Sequence, residues 1–280
     1  MKTIVITGAT SGIGLETARL FAAAGYRVLA VGHSTANCEK ANSDIKSTCP
    51  EAMLAWFAED LMQQREVERV AGEIKAFLAK EGVESLYALI NNAGCARSWY
   101  MTTEDGYEQQ FALNHLAGFK LTCELLPYLL KEGGRVIMTS SESHTGIKVH
   151  WNDVMLRRRY NPLTAYKQSK LCNLLFAKGL NDRYASAGLH AYGVDPGLVK
   201  TDIGNKTAGI VDIFWKFRKR HGVSPTIPAK NYLFICEQPE PPQWLYWYLC
   251  REQKYSRQVT SENATRLFEL SEKLCGISYK

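Results

Sequence analysis

Tyr166 and Lys170 stand four residues apart, so on a helix their side chains share one face, a turn apart. An ammonium beside a phenol favours the phenolate and draws its pKa toward working pH, which makes Tyr166 a candidate general acid/base. The spacing alone says little, because with 14 tyrosines in 280 residues about one Tyr-x-x-x-Lys is expected by chance. A second stretch with chemical content is Thr7-Gly8-Ala9-Thr10-Ser11-Gly12-Ile13-Gly14. One glycine there permits a tight turn, a second permits close backbone approach to a pyrophosphate, and a third lets a following helix pack closely. A helix N-terminus behind them would turn free N–H groups and a positive dipole end toward phosphate oxygens. A purely structural glycine turn competes with that reading, and the flanking elements decide between them.

Continuous apolar runs predict strands at Thr3–Thr7, Arg27–Val31, Met53–Ala58, Leu86–Ile90, Arg135–Thr139 and Leu189–Val194. Helical periodicity predicts helices over Gly12–Ala24, Gln63–Lys80, Glu104–Leu130 and Leu163–Ala187, with a last one at about Glu262–Leu274. Strands buried on both faces read as unbroken apolar runs, and their alternation with helices implies right-handed crossovers. The expected fold is α/β: a Rossmann-type doubly wound parallel sheet with helices on both faces, in a single domain. The glycine stretch then lies between the first strand and the first helix, which favours phosphate binding. After residue 197 the pattern weakens, and Pro225, Pro228, Pro239, Pro241 and Pro242 interrupt it.

In chain order, Thr7-Gly8-x-x-x-Gly12-Ile13-Gly14, Asp60-Leu61, Asn91-Asn92-Ala93-Gly94, Asn114, Ser140-Ser141, Tyr166-x-x-x-Lys170 and Asp195-Pro196-Gly197-x-x-x-Thr201 follow one another across about 195 residues. This set resembles the motifs of a short-chain dehydrogenase/reductase. The resemblance implies a nicotinamide dinucleotide held by Gly8, Thr10, Ser11, Gly12, Ile13 and Gly14 at its phosphates. Asp60 would bond the adenine with support from the Leu61 backbone, and Asn91, Ala93 and Gly94 would line the ribose side. Pro196 and Gly197 would form the turn beside the nicotinamide, with the Val199 backbone on its carboxamide and Thr201 next to it. Asp60 as a cap for a helix starting near Met62, and Asn91-Asn92 as turn residues, are the competing local readings.

The same resemblance implies a catalytic group of Asn114, Ser141, Tyr166 and Lys170. Ser141, favoured over Ser140, would donate to the substrate oxygen, and Tyr166 would exchange a proton with it. Lys170 would tune Tyr166 and bind ribose hydroxyls. Asn114 would hold a water on the proton path, although an asparagine inside a helix can also be structural. Residues 1–200 would form the cofactor-binding and catalytic core, and 201–280 a substrate loop or lid with the C-terminal elements.

Ser141 and Tyr166 are separated by 166 − 141 = 25 positions, a long interval containing Ser143-His144, Trp151-Asn152-Asp153 and Arg159-Tyr160. With Ser169–Phe176 and Thr265–Ser271, it is similar to the retinol dehydrogenase-like branch. That likeness implies an apolar alcohol or carbonyl substrate, retinoid-, steroid- or aldehyde-like, with His144 and Trp151 as substrate contacts. Phe214 and Trp215, within an apolar and basic stretch at 208–223, would belong to a lid that excludes water, with an ordinary packed surface helix as the competing reading. The second strand ends in Val31-Gly32-His33-Ser34, without the acidic residue that binds a ribose 2′-hydroxyl. His33 and Ser34 there favour NADP(H), with NAD(H) as the alternative; no metal is expected.

Composition narrows the remaining classes. Hydrophobic residues make up 46% and charged residues 22%, as in globular proteins. No apolar run approaches the ~18–20 residues of a spanning helix, and the N-terminus does not read as a signal peptide, so a cytoplasmic location is expected. The net charge is +6, but Lys and Arg are scattered, and the runs Arg157–Arg159 and Lys216–His221 read first as solvated faces; no nucleic acid partner is expected. The 8 cysteines form no CxxC pair and read as reduced thiols. Two other classes compete with the enzyme: a catalytically silent dinucleotide-binding sensor or scaffold, and a membrane-surface module built on Ile210–His221. The intact catalytic set favours the enzyme. A homodimer, paired through the two long helices, is compatible with the resemblance.

Overall fold

The computed structural model describes residues 1–199 and 222–279. The apolar runs become strands β1 (Thr3–Thr7), β2 (Arg27–Gly32), β3 (Met53–Ala58), β4 (Ala88–Asn91), β5 (Arg135–Thr139) and β6 (His190–Val194). Two further strands, β7 (Tyr246–Tyr248) and β8 (Arg251–Glu252), follow near the C-terminus. All eight form one sheet in the order β3-β2-β1-β4-β5-β6-β7-β8, parallel except for the antiparallel β7–β8 pair. The chain winds outward from β1 to β3, then returns to place β4 on the other side of β1. That reversal opens a crevice at the C-terminal ends of β1 and β4, where ligands bind in folds of this kind.

Alternate strand residues face opposite layers. Val5, Leu29, Leu89, Val136 and Met138 join a core with helices α3 (Gln64–Lys80), α5 (Ala117–Leu130), α6 (Pro162–Tyr184) and α8 (Ser261–Cys275). Ile4, Ile6, Val28, Ile90 and Ile137 join the other core, with α1 (Gly12–Ala23), α2 (Thr35–Thr48) and α7 (Thr226–Glu237). A period of two places each strand's side chains in both layers, which is why the runs show no polar face. The result is a single α/β domain with helices on both faces, and β7 extends the same sheet.

The structure departs from the sequence pattern in several places besides β7 and β8. The helix expected from Glu104 begins at α4 (Gln109–Phe111), because Gly106, at φ +78°, closes a turn and Thr102 bridges to Glu108. Residues Ala112–Leu116 then form a π-helical turn before α5. Helix α2, whose sequence is mostly polar, is nucleated by Ser34, whose hydroxyl accepts from Asn37 N. Helix α7 forms despite Pro228, which sits in its first turn, where the ring displaces no intrahelical hydrogen bond. Thr201, Phe214, Trp215 and most of the expected lid at 208–223 lie outside the described residues.

Candidate active site

At the crevice, the turns after β1 and β4 are bonded into one unit. Thr7 Oγ1 accepts from Asn92 N and Ala93 N, each at 3.0 Å, while Asn92 Nδ2 donates to the Thr7 and Gly8 carbonyls at 3.1 and 3.3 Å. Gly8 has φ +66°, and a Cβ there would lie 2.9 Å from Ala93 Cα. Ser11 opens α1 without its side chain capping the helix, and no acidic residue stands in the first turn. The first N–H groups of α1 therefore face the crevice without a competing anion, and side chains at Gly8 or Gly14 would obstruct the cradle. The turn fits a pyrophosphate on this geometry. Thr10, Gly12 and Ile13 lie in the same loop and first helical turn.

At the end of β2, the His33 ring is 65% exposed, with Nδ1 3.7 Å from Asp60 Oδ1. Asp60 also accepts from Met62 N at 3.1 Å, which closes a turn ahead of α3; that helix is capped at Gln63 and not at Asp60, and the 41% exposed Asp60 side chain still faces His33. Leu61 is buried beside it. The Ser34 hydroxyl serves α2 as its N-cap acceptor and retains its proton for donation.

Tyr166 and Lys170 lie on the first half of α6, where Asn161 caps the helix and Pro162 occupies its first turn. Lys170 Nζ sits 5.5 Å from the centre of the Tyr166 ring and donates to the Thr139 carbonyl at 3.0 Å. Burial pushes the Lys170 ammonium down to about 8, against the opposing pull of Cys95 and Asp195. A Cβ on Gly94 would lie 3.0 Å from Asn114 Oδ1 and 3.6 Å from Lys170 Nζ, so the loop after β4 closes directly over the lysine. Asn91 is buried at the end of β4 and bonds Thr122.

Both amide protons of Asn114 and one lone pair of its oxygen are engaged. Oδ1 accepts from Cys95 N at 2.7 Å, and Nδ2 donates to the Cys95 carbonyl at 3.1 Å and to Ser169 Oγ at 2.9 Å. Ser169 in turn donates to the Tyr166 carbonyl. Asn114 thus clamps the β4 loop to the turn of α6 that carries Tyr166, and the π-helical turn brings it there. Both of its amide protons are spent, so the side chain has none left to give a water.

Ser141 lies two residues beyond β5 and is buried; its hydroxyl accepts from Ser143 N at 3.3 Å. The turn that follows is splinted by Asp195, whose carboxylate accepts from Glu142 N at 3.0 Å and Gly197 N at 2.8 Å. Burial raises the Asp195 pKa, and those backbone donors oppose the rise. Gly197 needs φ +69° and packs against the Tyr248 ring, while Pro196 precedes it and Val199 bridges to Val223.

Of the two expected substrate contacts, His144 is turned into the fold. The His144 ring is fully buried: Nδ1 bonds the Ser141 carbonyl at 2.6 Å and Nε2 accepts from Ser256 N at 3.1 Å. With both nitrogens taken by backbone, His144 braces Ser141 from behind and presents no polar atom to a substrate. Trp151 packs on the core beneath the Arg266 guanidinium of α8, 4.6 Å from the ring centre. Several supports were not selected from sequence: Thr7, Asn92, Thr139, Ser169 and Asp195. Thr7, Asn92, Ser169 and Asp195 lie within the stretches already quoted; Thr139 acts through its carbonyl, which no residue type reveals.

Among the described residues, no cluster of three His, Cys, Asp or Glu side chains could hold a metal, and no helix is long and apolar enough to cross a membrane.

The sequence model of the short chain dehydrogenase family matches residues 2–209. Mouse retinol dehydrogenase 12 is 34% identical over 283 aligned residues, covering 100% of this chain and 88% of that protein. Human retinol dehydrogenase 13 is 31% identical over 290, covering 99% and 85%. Among solved structures, an uncharacterised protein from Mycobacterium paratuberculosis superposes with a TM-score of 0.74 at 30% identity, covering 100% of this chain and 95% of the other. A short-chain dehydrogenase from Sphingobium yanoikuyae in complex with NADPH, 21% identical with a TM-score of 0.67 and covering 89% and 87%, shares the fold.

Proposed function

The chain belongs to the short-chain dehydrogenase family and is an oxidoreductase; from that premise we propose that it interconverts an apolar alcohol with its aldehyde or ketone, using NADP(H) in preference to NAD(H). The observation that carries this reading is the cluster in which Gly94 and Asn114 close over Lys170 while Lys170 lies against the Tyr166 ring. When bound, the nicotinamide supplies or accepts the hydride.

The chain's own residues do the rest. The Gly8–Gly14 loop and the first turn of α1 hold the phosphates, and Asn91, Ala93 and Gly94 line the ribose side, with the Val199 backbone toward the carboxamide. Ser141 donates a hydrogen bond to the substrate oxygen as negative charge gathers on it. Tyr166 gives that oxygen a proton in the reductive direction and takes one in the oxidative direction. Lys170 supplies positive charge beside the phenol and donors to the ribose hydroxyls. Ser169 and Asn114 hold the helical turn bearing Tyr166 against the β4 loop, and Asp195 with His144 holds Ser141 in place.

Two observations support an apolar substrate. Trp99, Tyr100 and Met101, in the loop that leaves β4 at the crevice, are exposed, and Trp99 is 59% so. The named relatives are retinol dehydrogenases, whose named substrate is a long apolar alcohol. The test is cofactor fluorescence on purified protein against retinoids, steroids, quinones and simple aldehydes, with NADPH and NADH in parallel. Tyr166→Phe should retain dinucleotide binding and lose at least ~10²-fold in turnover. Turnover near wild type would remove Tyr166 from the mechanism.

A further inference from the structure

Behind Lys170, a buried chain of polar groups runs from the catalytic helix to the C-terminal helix. The Thr139 carbonyl accepts two donors, Lys170 Nζ and Asn173 Nδ2, each at 3.0 Å. Asn173 lies three residues beyond Lys170 on α6 and is buried. Because its Nδ2 faces a carbonyl, which can only accept, the orientation of the amide is settled and Oδ1 points away from Thr139.

The far end of the chain is His115, in the π-helical turn beside Asn114. Its Nε2 lies 2.9 Å from Ser271 Oγ on α8, and the ring sits fully buried among Phe111, Phe119 and Phe176. Burial pushes its pKa down to about 3, and the facing Asn173 side chain opposes that shift only in part, so the ring is neutral at working pH. His115 Nδ1 and Asn173 Oδ1 are both buried, and neither makes a hydrogen bond in the structure.

The two unpaired atoms are complementary in one proton arrangement. Asn173 Oδ1 only accepts, so a pairing with it requires His115 Nδ1 to carry the ring proton. Nε2 of the neutral ring then only accepts, so the Ser271 hydroxyl donates to it.

We propose that His115, held in one tautomer by Ser271, is a positioning residue for Lys170, acting through Asn173 and the Thr139 carbonyl they share. By fixing Asn173, His115 keeps one lone pair of that carbonyl occupied and leaves the ammonium a single site on the other. The inference rests on the reading of Lys170 given above. Lys170 itself is faced by Cys95 and Asp195, which favour its charge, and by the Tyr166 ring. The C-terminal helix thereby bears on the site without touching it.

A cycle of variants in the full chain, with NADPH as the probe, tests this. His115→Phe leaves Asn173 Oδ1 unpaired, and Asn173→Leu removes the link altogether. Each should raise the Kd for NADPH by ~5-fold at pH 7, and the double variant should bind no more weakly than Asn173→Leu alone. Each should also move the alkaline limb of the affinity–pH profile upward, because a Thr139 carbonyl released by Asn173 bonds the ammonium more strongly. Losses that add, or a limb that stays at its wild-type position, overturn the relay. Ser271→Ala, which removes only a hydroxyl, should shift the limb in the same direction and covers the case in which a larger change prevents folding; an unmoved limb overturns the relay there too. Lys170→Met separates the two readings, since unchanged NADPH affinity in that variant overturns the ribose role of Lys170 itself.

Discussion

A Cβ on Gly14 would lie 2.1 Å from the Gly8 carbonyl oxygen and 2.6 Å from Asn92 Nδ2. Helix α1 is therefore packed onto the turn before it with no room for a methyl group. Because Asn92 also bonds the Thr7 and Gly8 carbonyls, whatever moves Gly8 moves the loop after β4 as well. The glycine turn and the loop after β4, proposed above to hold the phosphates and the ribose, are one bonded unit.

Gly14→Ala should accordingly destabilise the protein by about 1–3 kcal/mol, the usual cost of forced overpacking against backbone. Its NADPH affinity should fall more than ~10-fold, since the clash displaces donors aimed at phosphate. Denaturant unfolding and fluorescence titration read the two effects. Affinity equal to wild type would mean that the phosphates bind elsewhere.

Asp195→Asn tests the splint under Ser141. The carboxylate accepts from Glu142 N and Gly197 N with its two oxygens, whereas an amide has one oxygen and sets its NH₂ against the other donor. A loss of about 1–3 kcal/mol in stability is expected, with a fall in kcat larger than any change in NADPH affinity. If kcat is unchanged while stability drops, Asp195 supports the fold and not the position of Ser141.

The Lys170 ammonium, lowered from its ordinary 10.5 to about 8 by burial, makes two pH dependences testable. The folded state holds this proton less tightly than the unfolded chain does, so stability contributed by the site rises with pH between about 8 and 10.5. Dinucleotide affinity has the opposite sign, because the charged form donates to the ribose: it should be flat from pH 6 to 7 and decline above about 8. Calorimetry and NADPH titration across that range, compared with Lys170→Met, check both. A wild-type affinity curve that stays level to pH 10 would contradict the assignment.

For the adenine end, His33→Asp should shift the ratio of kcat/KM for NADPH over NADH toward NADH. The new carboxylate would join Asp60, which already lies 3.7 Å from the His33 ring, and repel a 2′-phosphate. An unaltered ratio would place the ribose 2′ position away from this strand end.

The order of the elements and the polar residues at their ends were legible in the sequence, because strand burial on both faces and the glycines after β1 are local patterns that survive without knowledge of neighbours. Gly8, Gly14, Asn114, Tyr166 and Lys170 were singled out by the family resemblance of the whole motif set, since their proposed chemistry resides in the side chain or in its absence. The start of α4, the π-helical turn and helix α7 were not legible, because a turn at Gly106, an extra residue in a helical turn and a proline tolerated at Pro228 leave no hydropathy signature. Nor could spacing reveal that His144 turns inward to Ser256, or that Lys170 and Asn173 share the Thr139 carbonyl. Those contacts join residues from separate elements through backbone atoms that every residue possesses, so only packing selects among them. The same holds for His115 and Ser271, 156 positions apart, which meet because α8 folds back over α6. Sequence placed the reactive groups; the tertiary structure decided which neighbours hold them, since the strength and direction of a buried hydrogen bond depend on what the fold leaves beside it.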